Sequence, residues 1–425
     1  MQKQMEPLKT ETDLDQISNL PAQITDKILS HLSLRDAVTT SVLSSKWRYK
    51  WVTLPNLIFD NGLLVSFQDH SMIKSKIVSI VDHVLLLHVG PINKFKLSHR
   101  DLQNVPDIDK WVLFLSRGPI KEFILEIWKG NRYKLPSATY LFHRLVHLEL
   151  FNCLLKPPVT FNGFKCLKSL DLQHISMEQE AFEHLISSCS LLERLTLMNF
   201  DGFTHLKIHA PNLIYFDVGG TFDELSFKGT SHLAIVSIGL YLNDGNEQNL
   251  GFARSGNLVN FFAHLPRIQR LEVQNYFLKY LAAGVVPERL FTPCNELSYL
   301  YMRFNFNSVG ECLAALCLLR SSPNLQELEV VSWAEEQKSE GGSATMVEEK
   351  YETVSKFNRL REVKMFGLSG FAQELSFIKF LLGSSPQLET MTVKPLTNAG
   401  SWDLLKQLLR FRRTSVHAEI IFLDP

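Results

Sequence analysis

The chain has 425 residues, with 44 Lys+Arg against 44 Asp+Glu, so its formal charge is zero and the basic footprint of a nucleic-acid binder is missing. That length exceeds one compact core and implies either two or three domains or one elongated repeat array. No run approaches the ~18 apolar residues of a membrane helix, so a soluble, intracellular chain with no membrane partner is the expectation.

Residues 1–15 are polar, lack the apolar core of a signal peptide and are expected to be disordered. From Asn19 to Leu54 the chain reads as three short helices. Leu20, Ile24, Ile28 and Leu32 recur every four residues, with Pro21 suited to a first helical position. Ser33 with Asp36 forms a capping pair for a second helix, whose stripe is Leu34, Ala37, Val38, Ser41 and Val42. Ser44 or Ser45 opens a third, with Trp47 and Trp51 one turn apart and Leu54-Pro55 at its end. Three helices of this size cannot bury so much apolar surface among themselves. The unit therefore needs a partner.

A strand is expected at 56–60 and a helix at 74–88. Then one pattern recurs: apolar, two variable, apolar, one variable, apolar. It stands at 92–97, 120–125, 145–150, 167–172, 192–197 and 213–218, and again at 233–238, 268–273, 297–302, 325–330, 360–365 and 388–393. Starts lie roughly 20 to 35 residues apart, the interval of leucine-rich repeats. Amphipathic helices are read at 178–187, 258–265, 309–320 and 373–382. The short apolar runs 206–208 and 225–227 imply extended return segments instead. Residues 241–257 and 333–352 read as loops, and the helix 401–415 with the apolar strand VHAEIIFL reads as a cap. The fold expectation is α/β, a curved solenoid with strands on the concave side.

No constellation for catalysis is present: no GxxxxGK[ST], no GxGxxG after a strand, no GxSxG and no HExxH. Cys153, Cys166, Cys189, Cys294, Cys312 and Cys317 contain no CxxC and read as reduced core thiols, with no metal and no cofactor. Cys153 takes the Asn/Cys position of the repeat, where a small side chain turns inward. His143 and His147 read as solvated or hydrogen-bonded rather than as metal ligands, and Arg410, Arg412 and Arg413 as cations at a helix C-terminus. What such an array can do is bind, through the variable positions between its apolar residues. The nominated target surface is Phe151, Arg194, Met198, Tyr215, Tyr299, Tyr301 and Arg303, with Tyr299, Tyr301 and Arg303 the densest group.

The segment NLPAQITDKILSHLSLRDAVTTSVLSSKWRYKWVTLPNLIFD resembles the F-box of the plant family of F-box proteins with leucine-rich repeats and a C-terminal FBD region. FNRLREVKMFGLSG at 357–370 and ELSFIKFLLGSSPQLETMTV at 374–393 are similar to that FBD region. Gln23 departs from the family, which often has Glu there. The resemblance implies an F-box over 16–60, leucine-rich repeats over 61–340 and an FBD region closing the array over 341–425. It implies an F-box that docks a Skp-type adaptor of a cullin–RING ubiquitin ligase while the repeats hold a protein target, in the cytoplasm or nucleus. The adaptor contacts would be Leu20, Pro21, Ile24, Ile28, Leu32, Leu34, Ala37, Val38, Ser41, Leu43 and Trp47, with Trp51 and Leu54 packing on the first repeats. The chain would be a non-catalytic subunit. The inositol phosphate of larger, closed receptor arrays is not implied. A leucine-rich-repeat scaffold acting outside a ligase is the alternative.

Overall fold

The computed structural model describes residues 20–64, 73–103, 105–241, 258–333, 356–398 and 400–425. The expected disordered N-terminus, and nearly all of the two loops expected at 241–257 and 333–352, lie outside them. The chain divides into two compact units, residues 1–167 and 168–425.

The first unit opens with α1 (Ala22–Ser30) and α2 (Leu34–Thr39), followed by 3-10 turns at Thr40–Val42 and Lys50–Thr53. The third helix expected from Ser44 or Ser45 is absent. Trp47, Lys50, Val52 and Leu54 each donate their N–H three residues back, to Ser44, Trp47, Tyr49 and Trp51, at 3.1–3.3 Å. A stretch rich in Trp, Tyr, Val and Thr has weak intrinsic preference for the α-helix, so packing decides its shape. Next come β1 (Asn56–Phe59), α3 (Ile73–Leu87), β2 (Lys94–Gln103), α4 (Asp107–Leu115), β3 (Glu122–Lys129), β4 (Tyr133–Lys134), β5 (His147–Phe151) and β6 (Cys153–Leu154). β1, β2, β3 and β5 pair in parallel, so Leu57, Phe95, Phe123 and Leu148 fall in one buried row. Phenylalanine rings bridge the layers: Phe59 to Phe95 at 5.6 Å, Phe95 to Phe123 at 5.9 Å, and Phe123 to Phe142 at 5.2 Å. The helix α4 was not foreseen. Its inward residues Ile108, Trp111, Val112 and Leu115 sit behind the breaker Pro106.

The second unit is a longer run of the same kind: β7 (Ser169–Gln173), α5 (Gln179–Ser188), β8 (Arg194–Met198), β9 (His205–His209), β10 (Tyr215–Gly220), β11 (Glu224–Lys228) and β12 (Ile235–Leu240). It continues with α6 (Leu258–Ala263), β13 (Arg270–Asn275), α7 (Phe277–Leu281), β14 (Tyr299–Phe304), α8 (Val309–Arg320) and β15 (Glu327–Ser332). The last elements are β16 (Glu362–Leu368), α9 (Ala372–Ser384), β17 (Thr390–Pro395), α10 (Ser401–Arg410) and β18 (Glu419–Phe422). Strands β7, β8, β10 and β12 to β18 pair successively in parallel. The short runs at 206–208 and 225–227 are β9 and β11, a second parallel pair behind the sheet.

Every repeat motif begins two residues before its strand, and that first apolar residue is interior: Leu192, Leu213, Leu233, Ile268, Leu297 and Leu360 are all fully buried. The second and fourth strand residues follow it inward. The chain leaves the strand through a backbone position read from no motif. Counting the first strand residue as one, the sixth has φ of 58° at Asn152, 52° at His174, 51° at Asn199 and 53° at Asn275, and Gly367 occupies it at 73°. Asn tolerates this left-handed region better than most residues. Gly367 is obligatory there, since a Cβ would lie 2.7 Å from the Ser332 carbonyl oxygen.

One expectation needs correction. The helix α8 is not amphipathic: it is buried almost all round, from Glu311 to Arg320 except Leu313, because α7 covers the side that β14 does not. The final strand β18 is a peripheral strand. Among the described strands it pairs only with β17, and Ile420 and Phe422 stay half-exposed where the aligned Met391 and Val393 are fully buried.

Buried carboxylates hold the helix entries of the later repeats. Glu374, 1% exposed, accepts the backbone N–H groups of Ser369, Gly370 and Phe371 at 2.8–3.1 Å on one oxygen and the Ser332 hydroxyl at 2.6 Å on the other. Glu374→Ala leaves those donors without an acceptor, and should cost about 3 kcal/mol in urea denaturation, with Glu374→Gln intermediate. A loss under about 1 kcal/mol would show that water replaces the carboxylate.

Candidate interaction surfaces

The N-terminal helices are too short to turn every apolar residue inward. In α1, which Pro21 precedes as N-cap, only Thr25 and Leu29 are buried, leaving Ile24 (47%), Ile28 (40%) and Leu32 (37%) exposed on the opposite stripe. Ser33 caps α2 as its spacing requires: its hydroxyl oxygen accepts the Asp36 N–H at 3.1 Å and its proton goes to the Asp36 carboxylate at 2.7 Å. Val38, Val42 (81%) and Leu43 (61%) are exposed as well. Ser41 is half-buried and donates to the Arg48 carbonyl at 2.8 Å; Leu20 is half-buried and Pro21 exposed.

Three nominated residues are not on that surface. Leu34 and Ala37 form the inward face of α2, and Trp47 is 3% exposed because the 3-10 winding of its segment turns it inside with Trp51 and Leu54. Val42, absent from the nominated set, is the most exposed apolar residue of the region; its four-residue spacing from Val38 was the available signal. Backbone contacts tie this segment to the rest of its unit: Val89 N–H reaches the Val52 carbonyl at 2.8 Å, and a His88 ring nitrogen lies 2.9 Å from the Leu54 carbonyl.

On the outward sheet face of the first unit, Phe151 stacks on the half-exposed Trp128 at 4.4 Å. Beneath them the buried Glu126 accepts the Ser98 hydroxyl at 2.6 Å and the Trp128 indole N–H at 3.0 Å, with Lys96 at 3.5 Å. His147 is 3.5 Å from Glu149 and holds that carboxyl below the usual carboxylate range. It takes part in no three-residue metal-type cluster among the described residues.

In the second unit the nominated residues lie on one face, in register from strand to strand, and Arg194, Tyr215, Tyr299 and Arg303 are already engaged. Arg194 lies over the Tyr215 ring at 4.0 Å, and Arg270 over Tyr299 at 3.6 Å while pairing with Glu272 at 2.8 Å. The Tyr299 hydroxyl donates to Glu329 at 3.2 Å, and Arg303 donates to the Asn275 side chain at 3.0 Å. Tyr299, Tyr301 and Arg303 alternate along β14 and are all half-buried. Met198 is half-buried beside Gly219, where a Cβ would come within 2.7 Å of its sulfur.

Cys153, Cys189, Cys294, Cys312 and Cys317 are buried free thiols and Cys166 is partly exposed. Burial pushes Cys153, Cys294 and Cys312 up to about 12, which removes the thiolate that reactivity needs. Arg410 is in the last turn of α10, and Arg413 donates to the Ala418 carbonyl at 2.9 Å. Among the described residues no helix is long and apolar enough to cross a membrane.

Two family models match: one described as F-box domain covers residues 17–59, and one described as FBD-associated F-box protein At5g56370, LRR repeats, covers 108–330. The chain is 40% identical over 421 residues to the F-box/FBD/LRR-repeat protein At1g13570 of Arabidopsis thaliana, covering 96% of this chain and 99% of the relative. It is 32% identical over 353 residues to the F-box/LRR-repeat protein At4g14103 of the same plant, covering 74% and 91%. Against F-box/FBD/LRR-repeat protein At5g53840, also from Arabidopsis thaliana, identity is 27% over 405 residues, covering 89% and 88%.

Asp217 shows that the sheet face is not arranged for stability alone. Burial, then the like charge of Glu272, raises its pKa despite hydrogen bonds from Ser237 and Tyr215. A folded-state pKa above the unfolded value means the ionised carboxylate opposes folding at neutral pH, an effect that fades as pH falls through the raised folded value and is gone below the ordinary value of about 3.9. Asp217→Asn should therefore stabilise the protein in denaturant titrations at neutral pH and leave it unchanged in strong acid. A loss at neutral pH would contradict this.

Proposed function

The chain belongs to the F-box/FBD/leucine-rich-repeat family, whose F-box and repeats give it a protein-interaction role, and from that membership we propose that it is the substrate-recognition subunit of an SCF-type E3 ubiquitin ligase. The observation that carries the reading is the set of exposed apolar residues Ile24, Ile28 and Leu32 along and just after α1, and Val38, Val42 and Leu43 on α2 and the 3-10 turn that follows it, while the buried residues of both helices form their own core. A solvent-facing patch of this composition on a soluble unit marks a docking site. The F-box over 16–60 docks a Skp-type adaptor through it and so joins a cullin–RING ligase. The repeats over 61–340 and the FBD region over 341–425 hold the protein target, in the cytoplasm or nucleus. Members of the family are generally non-catalytic adaptors, and this chain acts the same way: it raises the local concentration of the target's lysines near the charged E2 and makes no bond itself.

The test is direct binding of the purified full chain to a Skp-type adaptor. Ile24→Asp with Ile28→Asp places two carboxylates in the apolar interface and should weaken binding about 100-fold, since two anchor residues contribute together about 2.7 kcal/mol or more. Because both side chains are already exposed, the thermal midpoint should hold. Undiminished binding would move the interface elsewhere. A wild-type chain that captures no adaptor would favour a leucine-rich-repeat scaffold outside a ligase.

A further inference from the structure

The second-unit sheet face carries a pattern finer than an assortment of polar residues. The middle outward position of each strand forms one straight row, because parallel pairing is in register throughout. Carboxylates occupy every second strand of that row: Asp171 on β7, Asp217 on β10, Glu272 on β13 and Glu329 on β15. Hydroxyls fill the strands between them, from Thr196, Ser237 and Tyr301. Neighbouring strands lie about 4.8 Å apart, so successive carboxylates are separated by about 10 Å across the sheet. A segment in the polyproline-II conformation has three residues per turn and advances about 3.1 Å per residue, so every third side chain returns to the same side after about 9 Å.

The partners of these groups indicate the missing charge. Across β10 to β15 the outward positions hold Asp217, Glu272, Glu327 and Glu329 against Arg270 and Arg303. Asp217 is held by the hydroxyls of Tyr215 and Ser237, and Glu329 accepts the hydroxyl of Tyr299. The chain itself supplies an example of what fits: the Arg270 guanidinium lies over the Tyr299 ring while its N–H groups reach Glu272. Arg194 on Tyr215 repeats the stacking half of that arrangement. Among the described residues no cation lies over the ring of Tyr301, which stands between Glu272 and Glu329 in the row. The raised pKa of Asp217 agrees with a carboxylate that lacks a cation.

We propose that the outward face of β10 to β15 binds a lysine- or arginine-bearing segment of a protein target in a polyproline-II conformation, laid across the strands with a cation at every third residue. The carboxylates receive the cations, Tyr301 offers its ring to one of them, and Ser237 and Tyr301 supply hydroxyls to the intervening peptide groups. A nucleic-acid backbone carries the wrong charge for this row, and an acidic peptide would meet like charge at each step. Lys364 ends the row on β16, where it faces Glu329 in register and pairs with Glu362 at 3.0 Å. The inference rests on the reading of the repeats as the target-holding part, and adaptor binding is measured on the same preparations so that the two are separable.

The probe is a synthetic fluorescent peptide of lysines spaced by Gly-Ser pairs, compared with an isomer that has its lysines in one block and with a version carrying glutamates. Binding to the full chain is read by anisotropy at low and physiological salt. The spaced peptide should bind about tenfold more tightly than the block isomer and weaken with salt. Asp217→Asn with Glu329→Gln, near-isosteric changes on a solvent-facing surface, should reduce its affinity about tenfold without altering adaptor binding. Lys364→Thr removes the cation ending the row and should raise affinity about threefold, a gain that misfolding cannot produce. Equal binding of the spaced and block peptides, an amide variant that binds like wild type, or preference for the glutamate peptide would overturn the proposal. Capture of the adaptor without the spaced peptide overturns the surface alone. The spaced peptide bound without the adaptor leaves the surface standing and removes the ligase reading.

Discussion

No repeat of this chain can bury its own apolar residues, and that constraint organises everything else. The strand Tyr215–Gly220 offers Phe216 and Val218 to the interior, and they are fully buried only because Leu195 and Leu197 stand beside them on one side and Val236 and Ile238 on the other. A slip of one residue would turn the whole row to solvent, so register is strongly specified. The left-handed residue at the sixth position sends the chain back behind the sheet at the same point in several repeats. Asn152 reinforces that exit by donating to the Ile127 carbonyl at 3.0 Å.

The same constraint explains the N-terminal helices. They join the first unit by turning Trp47, Trp51 and Leu54 inward, and once those large side chains are committed there is no interior left for the second stripe of α1. The apolar residues left outside are therefore a consequence of how few elements share this small core. Their concentration on one stripe is what makes them usable by a partner.

The outward sheet face is governed by the opposite economy. Its residues are held by each other: guanidiniums rest on tyrosine rings, hydroxyls point at carboxylates, and glycines at 219 and 239 leave room for Tyr241 and Met198. Side chains fixed in this way lose little entropy when a partner arrives. At Asp217 that mutual support is incomplete: burial raises its pKa although the hydroxyls of Tyr215 and Ser237 hydrogen-bond it.

The strands and their order were legible in the sequence because the repeat pattern is local: a strand's two inward residues and the apolar residue before it lie within six positions. The extended return segments and the Ser33 cap were legible for the same reason. What only the tertiary structure decided was the direction of residues whose neighbours come from far along the chain. The apolar spacing of α1 left open which stripe would be buried, and the pairing of Trp47 with Trp51 suggested an α-helix where packing imposed 3-10 turns. Arg270 on Tyr299 and Ser332 on Glu374, 29 and 42 positions apart, could not be read from spacing at all. Local periodicity determines where a strand forms and which side faces in; the register between distant repeats determines which outward side chains meet.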